Sequence, residues 1–408
     1  MKKIFSILLI VSIIFSGYFL IVQPIKDSID FPDNMYVTTS DIESINTNSN
    51  YSPLLKFSLD KNINVSDSEV SYTTMDIKLF GWLPIKKVKV KLLNNVEVMV
   101  GGNTIGFYLN SDGVIVVGSN PIYTETGNFE PIKNSSIQEG DIIKKINGVE
   151  IKDIKDIEYE LNKRRDFEPS EKYTVQVEIL RNNETITLEI EPALDLFTKK
   201  YRLGLWVKNS VSGVGTLTYV KTKDNRFGAV GHPIASNEKG ESLDISNGDV
   251  YLCNFLGIKK GTKDSPGEIK TNIKLSDNSI GIADTNCEYG VYGNILNTNV
   301  LDSNFKTNLS GRMSVKMGNA QIFCDIGEGV KGYDIKIIKT NHQERANEKS
   351  IMFKVTDKEL IEKTGGIIQG MSGSPIIQDG KLVGAVTHVF LNDPTKAFGV
   401  YIDWMIDN

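Results

Sequence analysis

The first apolar pattern along the chain is a nearly continuous run over residues 4–22, which follows Lys2 and Lys3. Its length is close to the ~20 residues that a helix needs to cross a hydrocarbon core. A cleaved signal peptide is the alternative, but no small-residue A-x-A site follows the run. We therefore predict an uncleaved signal anchor over residues 1–25. The two lysines would then face the cytoplasm and the chain after Asp27 would lie outside.

Residues 26–92 are rich in Asp, Ser, Asn and Thr, and their apolar positions show little periodicity. Only the stretch MDIKLFGWLPIKKVKVKLL, residues 75–93, alternates in the way that strands require, with Pro84 placed in a connecting turn. This part of the chain is predicted to be a spacer with a few short strands.

The pattern changes over residues 93–195. A glycine-rich loop precedes two alternating segments that we predict to form a hairpin at residues 111–113. A short strand follows at residues 142–146, and the next segment places Ile154, Ile157 and Leu161 on one side of a helix. A second hairpin is predicted to turn at Asn182 and Asn183.

This order of elements resembles a PDZ domain. The GDxIxxINGxxI signature of that family falls on residues 140–151, and its carboxylate-binding loop falls on Thr104, Ile105, Gly106 and Phe107. In such a loop, successive backbone N–H groups bind a peptide carboxylate while the next strand edge accepts an extended peptide. A small barrel that only spaces its neighbours is the alternative.

Residues 196–408 consist mostly of short, alternating, turn-punctuated segments, which predict an all-β barrel or sandwich. One helix interrupts them at residues 357–363, with Thr356 or Asp357 as its N-cap. The chain as a whole is therefore predicted to be mainly β.

Composition excludes several functions. A net charge of −5 offers no basic face for nucleic acid. The three cysteines, Cys253, Cys287 and Cys324, have no zinc-binding spacing and are too few for a disulfide framework. We expect buried, inert thiols, although one disulfide is compatible with an extracytoplasmic domain. No metal or cofactor is implied.

Small residues and a hydroxyl are concentrated in the stretch GMSGSP, residues 370–375, between two apolar strands. A nucleophilic hydroxyl needs an exposed position on a tight turn, backbone N–H groups for the oxyanion, and a base. The spacing matches the G-x-S-G-x-P turn of chymotrypsin-like serine proteases. Ser372 would be the nucleophile, and the N–H groups of Gly370 and Ser372 would form the oxyanion hole. Glycine-serine turns are also common in proteins without catalysis.

The chain has three histidines that could act as the base. His342 lies in a charged surface stretch, and His388 lies in an apolar strand where we expect a core histidine. His232 ends a glycine-containing strand and precedes Ser372 by 140 residues, which agrees with the His-first order of two-barrel proteases. His232 is therefore predicted to be the base.

The pattern alone leaves the orienting carboxylate open among Asp325, Asp334 and Asp357. The C-terminal stretch VTDKELIEKTGGIIQGMSGSPIIQDGKLVGAVTHVFLNDPTKAFGVYIDWM resembles the stage IV sporulation protein B family of serine peptidases. The GTLTYV and FGAVGHPI segments, the PDZ-like region and the predicted anchor agree with it. The resemblance implies a chymotrypsin-like double barrel and a triad of His232, Asp357 and Ser372. A purely structural N-cap role for Asp357 is the alternative.

The resemblance also implies a biological role. The chain would be a peptidase anchored in the forespore membrane, with its domains in the intermembrane space. There it would cleave itself in trans and a partner protein that regulates a membrane-embedded processing protease, triggering mother-cell sigma-factor activation. A quality-control protease of the HtrA type is a second possibility, but there the PDZ domain follows the protease. A non-catalytic PDZ adaptor is the third.

Overall fold

The computed structural model describes residues 34–38, 55–60, 70–93, 96–133, 135–163, 173–182, 184–235, 243–275, 278–301, 305–341 and 347–406. The predicted anchor over residues 1–25 and His342 lie outside these ranges. Among the helices within them, none has the length and apolar character needed to span a membrane.

Strands dominate the described chain. Up to residue 100 they are β1 Asn34–Thr38, β2 Leu55–Leu59, β3 Val70–Leu79, β4 Leu83–Leu93 and β5 Glu97–Val100. The next elements are β6 Thr104–Ser119, β7 Ile122–Thr124, β8 Gly127–Phe129, β9 Ile142–Ile146, β10 Val149–Glu150, α1 Ile154–Asn162, β11 Val175–Arg181, β12 Glu184–Ile190, β13 Ala193–Leu194, β14 Tyr201–Arg202 and β15 Leu205–Lys221.

The remaining elements complete the C-terminal half. They are β16 Arg226–Ala229, β17 Ile245–Lys259, β18 Glu268–Ile273, β19 Gly281–Cys287, β20 Gly290–Ile295, a 3-10 turn Thr298–Val300, β21 Lys306–Asn308 and a 3-10 turn Arg312–Ser314. The last group is β22 Gly318–Asp325, β23 Val330–Thr340, β24 Ile351–Val355, α2 Lys358–Thr364, β25 Pro375–Gln378, β26 Lys381–Phe390, β27 Asp393–Tyr401 and α3 Ile402–Met405.

Two six-stranded antiparallel barrels form the centre of the molecule. The first runs in the order β6-β17-β19-β20-β16-β15 and closes where β15 pairs back onto β6. The second runs in the order β22-β23-β24-β27-β26-β25. Each barrel has its own apolar core, because alternate side chains along each strand point inward. Closure leaves no free sheet edge within either barrel. The mainly β, double-barrel prediction is therefore confirmed.

The barrels pack against each other through a shared apolar cluster. Tyr219 of the first barrel and Val400 of the second both belong to it, and both are fully buried. The Tyr219 hydroxyl donates to the carbonyl oxygen of Met405 in α3 at 3.0 Å. A buried phenol hydroxyl needs such a partner, so α3 is fixed against the first barrel.

A separate module is inserted between β6 and β15. The strand pairs β9-β11 and β11-β12, helix α1 and the outer ends of β6 and β15 surround a core that includes Val114, Ile143, Val177 and Leu203. Strands β6 and β15 therefore belong both to the first barrel and to the inserted module. Residues 104–110 of β6 pair with the barrel portion of β15, and residues 115–119 pair with its outer end. Strand β9, helix α1 and the hairpin between β11 and β12 lie where the sequence predicted them.

Three sequence predictions about this region need correction. The hairpin predicted at residues 111–113 does not form, because β6 continues through them to Ser119. The predicted PDZ range over residues 93–195 includes the first half of β6, which is instead a wall of the first barrel. The spacer over residues 26–92 also contains more structure than expected. Strands β1 to β4 form a four-stranded sheet in the order β1-β4-β3-β2, with its own apolar core.

Candidate active site

His232 lies just beyond the end of β16, at a sharp corner. Val230 and Gly231 both have positive φ values, 71° and 74°. A side chain on Gly231 would place its Cβ 3.1 Å from Cγ2 of Thr387 and 3.3 Å from the carbonyl oxygen of Val386. The glycine is therefore required where the first barrel approaches β26 of the second. It places His232 at the junction of the two barrels.

Ser372 lies on the turn that precedes β25. Gly370 and Gly373 have φ values of 99° and 95°, which are left-handed or extended-positive conformations that favour glycine. A Cβ on Gly373 would come within 2.1 Å of the Thr216 carbonyl oxygen. Ser372 is half-buried and so accessible, whereas Ser374 is fully buried. Of the two hydroxyls on this turn, only that of Ser372 can meet a substrate.

The first barrel fixes this turn through two threonines of β15. The Thr216 N–H donates to the carbonyl oxygen of Ser372, and the Thr216 hydroxyl donates to that of Gly370, both at 2.8 Å. The Thr218 hydroxyl donates to the carbonyl oxygen of Gly373 at 2.7 Å. Both threonines are completely buried. Three carbonyl groups of the turn are thus held in place by the first barrel.

The N–H groups of the turn divide into two sets. Those of Gln369, Met371, Gly373 and Ser374 donate to backbone carbonyl oxygens. In the part of the chain that the structure describes, the N–H groups of Gly370 and Ser372 donate to no protein acceptor. Two unused donors, one on the nucleophile and one two residues before it, are the arrangement that stabilises a tetrahedral oxyanion. The prediction for these two residues fits this geometry.

The His232 ring is partly buried, and burial lowers its pKa below the ordinary value of 6.5. Its Nδ1 lies 2.9 Å from the carbonyl oxygen of Pro233. A proton on Nδ1 donates to this carbonyl, which leaves Nε2 as the free base. Burial and tautomer both suit a histidine that begins the reaction neutral.

Ser372 and His232 both contact β26, at the neighbouring residues Thr387 and His388. The Ser372 hydroxyl donates to the carbonyl oxygen of Thr387 at 3.0 Å. The His232 ring packs against the ring of His388, the next residue, with centroids 5.4 Å apart. Among the described contacts, no hydrogen bond joins Ser372 to His232. Catalytic hydrogen bonds often form only when substrate is bound, and a rotation of the Ser372 side chain releases it from Thr387.

Asp357, the predicted acid of the triad, contacts backbone N–H groups in this structure. It is the N-cap of α2, and its carboxylate accepts from the N–H of Leu360 at 2.9 Å and from that of Asp334 at 3.4 Å. No described hydrogen bond connects it to His232. The structural alternative for this residue, an N-cap that satisfies exposed helix donors, is what the contacts support. The role of Asp357 as the third member of the triad, which the resemblance implied, therefore stays a prediction.

His388 is not the core histidine that its apolar strand suggested. Its side chain is 40% exposed, and its Nε2 lies 3.6 Å from a carboxylate oxygen of Glu348. Sequence reasoning missed Glu348 because it lies in a charged loop before β24, in a stretch without periodicity. Glu348 approaches His388 only because β24 pairs with β27 and β27 pairs with β26.

The structure places Thr104, Ile105, Gly106 and Phe107, the predicted carboxylate-binding loop, within a barrel strand. These residues open β6, all four are buried, and both edges of the strand are occupied: Ile105 pairs with Gly215 on one side and Leu252 on the other. From Ile105 onward, this strand therefore has no free edge for a peptide. A glycine is needed at position 106 because a Cβ there would lie 2.5 Å from the Ile273 side chain.

A cavity in the inserted module has the features that this loop lacks. It measures about 360 Å³ and lies between α1 and the chain over residues 200–207. Apolar side chains line most of it, among them Ile154, Ile157, Leu203, Leu205 and Trp206. Within the described chain, the N–H groups of Leu203 and Gly204 donate to no protein acceptor. Gly204 has φ of 66°, and both residues line the cavity.

The cysteines are unpaired in the described structure. Burial raises the pKa of Cys253 to about 11 and also raises that of Cys287 and of Cys324. Since the thiolate is the reactive form, these thiols are unreactive near neutral pH.

A half-buried serine on a glycine turn, two free N–H donors beside it and a neutral histidine, all at the junction of two six-stranded barrels, define a chymotrypsin-like serine peptidase. Comparison with known families agrees: residues 199–406 match the SpoIVB peptidase S55 family, and the chain belongs to this family. The matched region begins after β6, so the strand that completes the first barrel comes from outside it. No curated protein matches the chain.

Proposed function

We propose that this chain is a membrane-anchored serine endopeptidase of sporulation signalling, which cleaves itself in trans and a partner protein. The observation that carries the catalytic part is the pair of free donors, the N–H groups of Gly370 and Ser372, beside an accessible hydroxyl. Family membership supports the sporulation role. The apolar run over residues 4–22 after two lysines supports the anchor and the extracytoplasmic location in the forespore intermembrane space.

The reaction uses these groups in a fixed order. The Ser372 oxygen bonds to the scissile carbonyl carbon while His232 Nε2 takes the hydroxyl proton. The carbonyl π electrons move to oxygen, and the N–H groups of Gly370 and Ser372 stabilise the resulting anion. Collapse of this intermediate breaks the C–N bond, and the amine leaves with the proton from His232. Water then repeats the two steps and releases Ser372.

The module cavity is proposed to hold a peptide, in place of the loop predicted from the sequence. An extended segment ending in an apolar residue would add along the edge at Leu205–Val207, with its carboxylate at the N–H groups of Leu203 and Gly204. The cations near the cavity do not carry this proposal, because Lys200 pairs with Glu158 and Arg202 lies 3.9 Å from Asp195. The peptide could come from the substrate or from another copy of the enzyme.

The test compares the full-length parent with Ser372→Ala after expression and purification. We expect fragments with defined N-termini from the parent and none from the variant, while both keep the same circular dichroism spectrum. Addition of active parent should cleave the inactive variant in trans. Equal cleavage by Ser372→Ala would disprove the assignment of the nucleophile, and an inactive parent would favour the adaptor function.

A further inference from the structure

The turn that joins β3 to β4 holds a large aromatic residue in a strained conformation. The N–H of Trp82 donates to the carbonyl oxygen of Leu79 at 3.3 Å. Between them, Phe80 and Gly81 have φ values of 56° and 82°. Two successive positive φ values are typical of a type I′ hairpin turn, whose first central position favours asparagine, aspartate or glycine. Phe80 therefore occupies a position that is sterically unfavourable for a bulky residue.

The two aromatic side chains of this turn face solvent. Phe80 is 54% exposed and Trp82 is 71% exposed, although the other face of the same sheet has a buried apolar core. Exposed rings gain little from folding, and the ring of Phe80 also carries backbone strain. Two neighbouring aromatic residues that reduce stability in this way indicate a contact outside the protein.

The hairpin that carries this turn is basic. Residues 70–93 contain one acidic residue and five lysines, in a chain whose net charge is −5. The lysines are Lys78, Lys86, Lys87, Lys89 and Lys91. The acidic residue, Asp76, lies 3.8 Å from Lys87. A further lysine, Lys56 of β2, lies beside the turn, since its Cγ is 3.6 Å from the place of a Cβ on Gly81. The hairpin therefore combines exposed aromatic rings with a surplus of positive charge.

The register of the sheet shows from which end the chain enters it. Strand β1 pairs in parallel with β4, with Asn34 opposite Lys89. Because β4 begins at the turn with Leu83, β1 enters the sheet from the turn end and runs away from it. The turn lies about 20 Å beyond Asn34 along the strand direction.

The same register places the turn within reach of the proposed anchor. The apolar run ends at Val22, 12 residues before Asn34. A dozen residues span at most about 40 Å, which is twice the distance by which the turn extends beyond Asn34. In an anchored chain, the aromatic turn and the membrane therefore lie on the same side of the sheet.

We propose that the turn between β3 and β4 binds the membrane surface. Phe80 and Trp82 insert among the lipid headgroups, as aromatic residues do at membrane interfaces. The lysines of the hairpin bind anionic lipid headgroups, which attract basic segments next to a membrane anchor. This contact sets the orientation of the sheet on the bilayer. The inference rests on the proposed function, because the anchor brings the sheet to the membrane.

The test places the full-length chain in vesicles of equal parts phosphatidylcholine and phosphatidylglycerol, with or without bromine on the acyl chains. Bromine quenches the fluorescence of tryptophan in the bilayer. The chain has three tryptophans, and Trp206→Phe removes the other exposed one, which is 62% exposed. Adding Trp82→Phe gives the emission of Trp404 alone for subtraction. We expect brominated lipid to remove most of the Trp82 emission. Flotation of the vesicles reports the anchor separately.

Phe80→Asn is the decisive variant. It removes the ring and supplies a residue that a type I′ turn favours. We expect less quenching of Trp82 together with a thermal unfolding midpoint in detergent at or above that of the parent, because the strain is relieved. A residue needed only for folding would lower the midpoint instead. Leu391→Asn, at a 61% exposed position between β26 and β27, is the control and should be quenched like the parent.

The charge of the hairpin has its own test. Lys87→Gln combined with Lys89→Gln should weaken quenching in the anionic vesicles and make it less sensitive to salt, since salt screens only the charge interaction. In vesicles of phosphatidylcholine alone, the double variant and the parent should be quenched alike. Equal quenching in the anionic vesicles at every salt concentration would exclude headgroup binding by these lysines.

The outcomes separate this inference from the proposed function. Unquenched Trp82 emission in a chain that floats with the vesicles would overturn the inference and leave the anchor. If that emission is also shifted to the blue, a protein surface covers the turn, from a second copy or another partner. Equal quenching of Phe80→Asn and the parent would likewise remove the aromatic contact. A folded chain that does not float would overturn the proposed anchor, and the membrane contact with it.

Discussion

The N–H group of Thr216 in the first barrel donates to the carbonyl oxygen of Ser372 in the second at 2.8 Å. The two residues are 156 positions apart in the sequence. The Thr216 carbonyl oxygen in turn accepts from the N–H of Val230, two residues before His232, at 3.1 Å. One residue of β15 therefore connects the turn that carries the nucleophile to the corner that carries the base. Catalytic geometry at this site depends on the docking of the two barrels.

Thr216→Val should impair catalysis more than its conservative shape suggests. The change removes the hydroxyl that donates to the Gly370 carbonyl oxygen. Leaving this buried acceptor unpaired should cost about 1–3 kcal/mol of unfolding free energy, and it loosens the turn that positions the N–H groups of Gly370 and Ser372. We expect a serine-directed fluorophosphonate to label Ser372 more slowly, and we expect a lower midpoint of urea unfolding. Thr222→Val removes an exposed hydroxyl from the same chain segment and should change neither quantity. Equal labelling by Thr216→Val and the parent would show that the turn holds its shape without this bond.

Gly370→Ala should abolish most activity. Its φ of 99° is unfavourable for alanine, and the added Cβ would lie 3.2 Å from Cβ of Ile269. The turn must shift and displace the N–H that we assign to the oxyanion, and loss of one such donor typically slows the reaction by about 10²–10³.

Gly380→Ala is the matched control for that change. Gly380 also has a positive φ, 75°, but an added Cβ would meet no atom within 4 Å. Both variants carry backbone strain of roughly 1–2 kcal/mol, yet only Gly370→Ala should lose labelling of Ser372. Similar losses in the two variants would attribute the effect to strain rather than to the oxyanion hole.

Local chemistry let the sequence predict the glycine turn around Ser372 and most elements of the module. Gly370, Ser372 and Gly373 are recognisable because the turn needs those residue types at that spacing. Long-range pairing was not readable in the same way. The partners of Ile105 are 110 and 147 residues away, so a barrel strand was mistaken for a peptide-binding loop. Glu348 is equally invisible in sequence, because only the closure of the second barrel brings it to His388.

The unfolding free energy should fall with acidification in a way that depends on His232. Burial lowers the pKa of this ring below 6.5. Below pH 6.5 the unfolded chain therefore takes up a proton that the folded chain resists. The stability contributed by the neutral ring is complete above that pH and is lost as the pH falls through the folded pKa. His388 adds to the same trend, since burial lowers its pKa too.

His232→Asn provides the measurement for this pH dependence. Urea unfolding at pH 7.5 and pH 5.5 should give a smaller difference for the variant than for the parent. An unchanged difference would mean that other groups, the carboxylates above all, account for the acid sensitivity.

Ile154→Asp should weaken peptide binding and spare the chemistry. Ile154 lines the module cavity and is 40% exposed, so a charge there removes apolar contact without entering the core. Fluorescence anisotropy with a peptide that has an apolar C-terminal residue and a free carboxylate should report the loss. The amidated peptide should bind the parent more weakly, because the N–H groups of Leu203 and Gly204 then lack an anion. Ile282→Asp, on an equally exposed position of the first barrel, should bind like the parent. Parent-like binding by Ile154→Asp would remove the cavity from consideration.

Asp403→Ala should be the most destabilising of the charge deletions considered. Asp403 and Arg312 are each 1% exposed, with Nε of Arg312 3.5 Å from the carboxylate, and the guanidinium lies over the Trp404 ring at 4.1 Å. This pair ties the connection between the barrels to α3. Removing one member of a buried pair leaves the other charge buried without a partner, at a cost of roughly 3–5 kcal/mol in unfolding free energy.

An exposed pair provides the comparison for Asp403→Ala. Arg226 and Asp284 form two short hydrogen bonds of 2.9 and 3.0 Å, but the aspartate is 44% exposed. Asp284→Ala should therefore cost at most about 1 kcal/mol. Replacing both buried partners, in Arg312→Met with Asp403→Leu, should recover much of the loss, because no charge is then left unpaired. Urea unfolding of the parent, the two single variants and the double variant measures these differences. Equal losses of unfolding free energy in Asp403→Ala and Asp284→Ala would mean that water reaches Arg312 and that burial of the pair does not determine its energy.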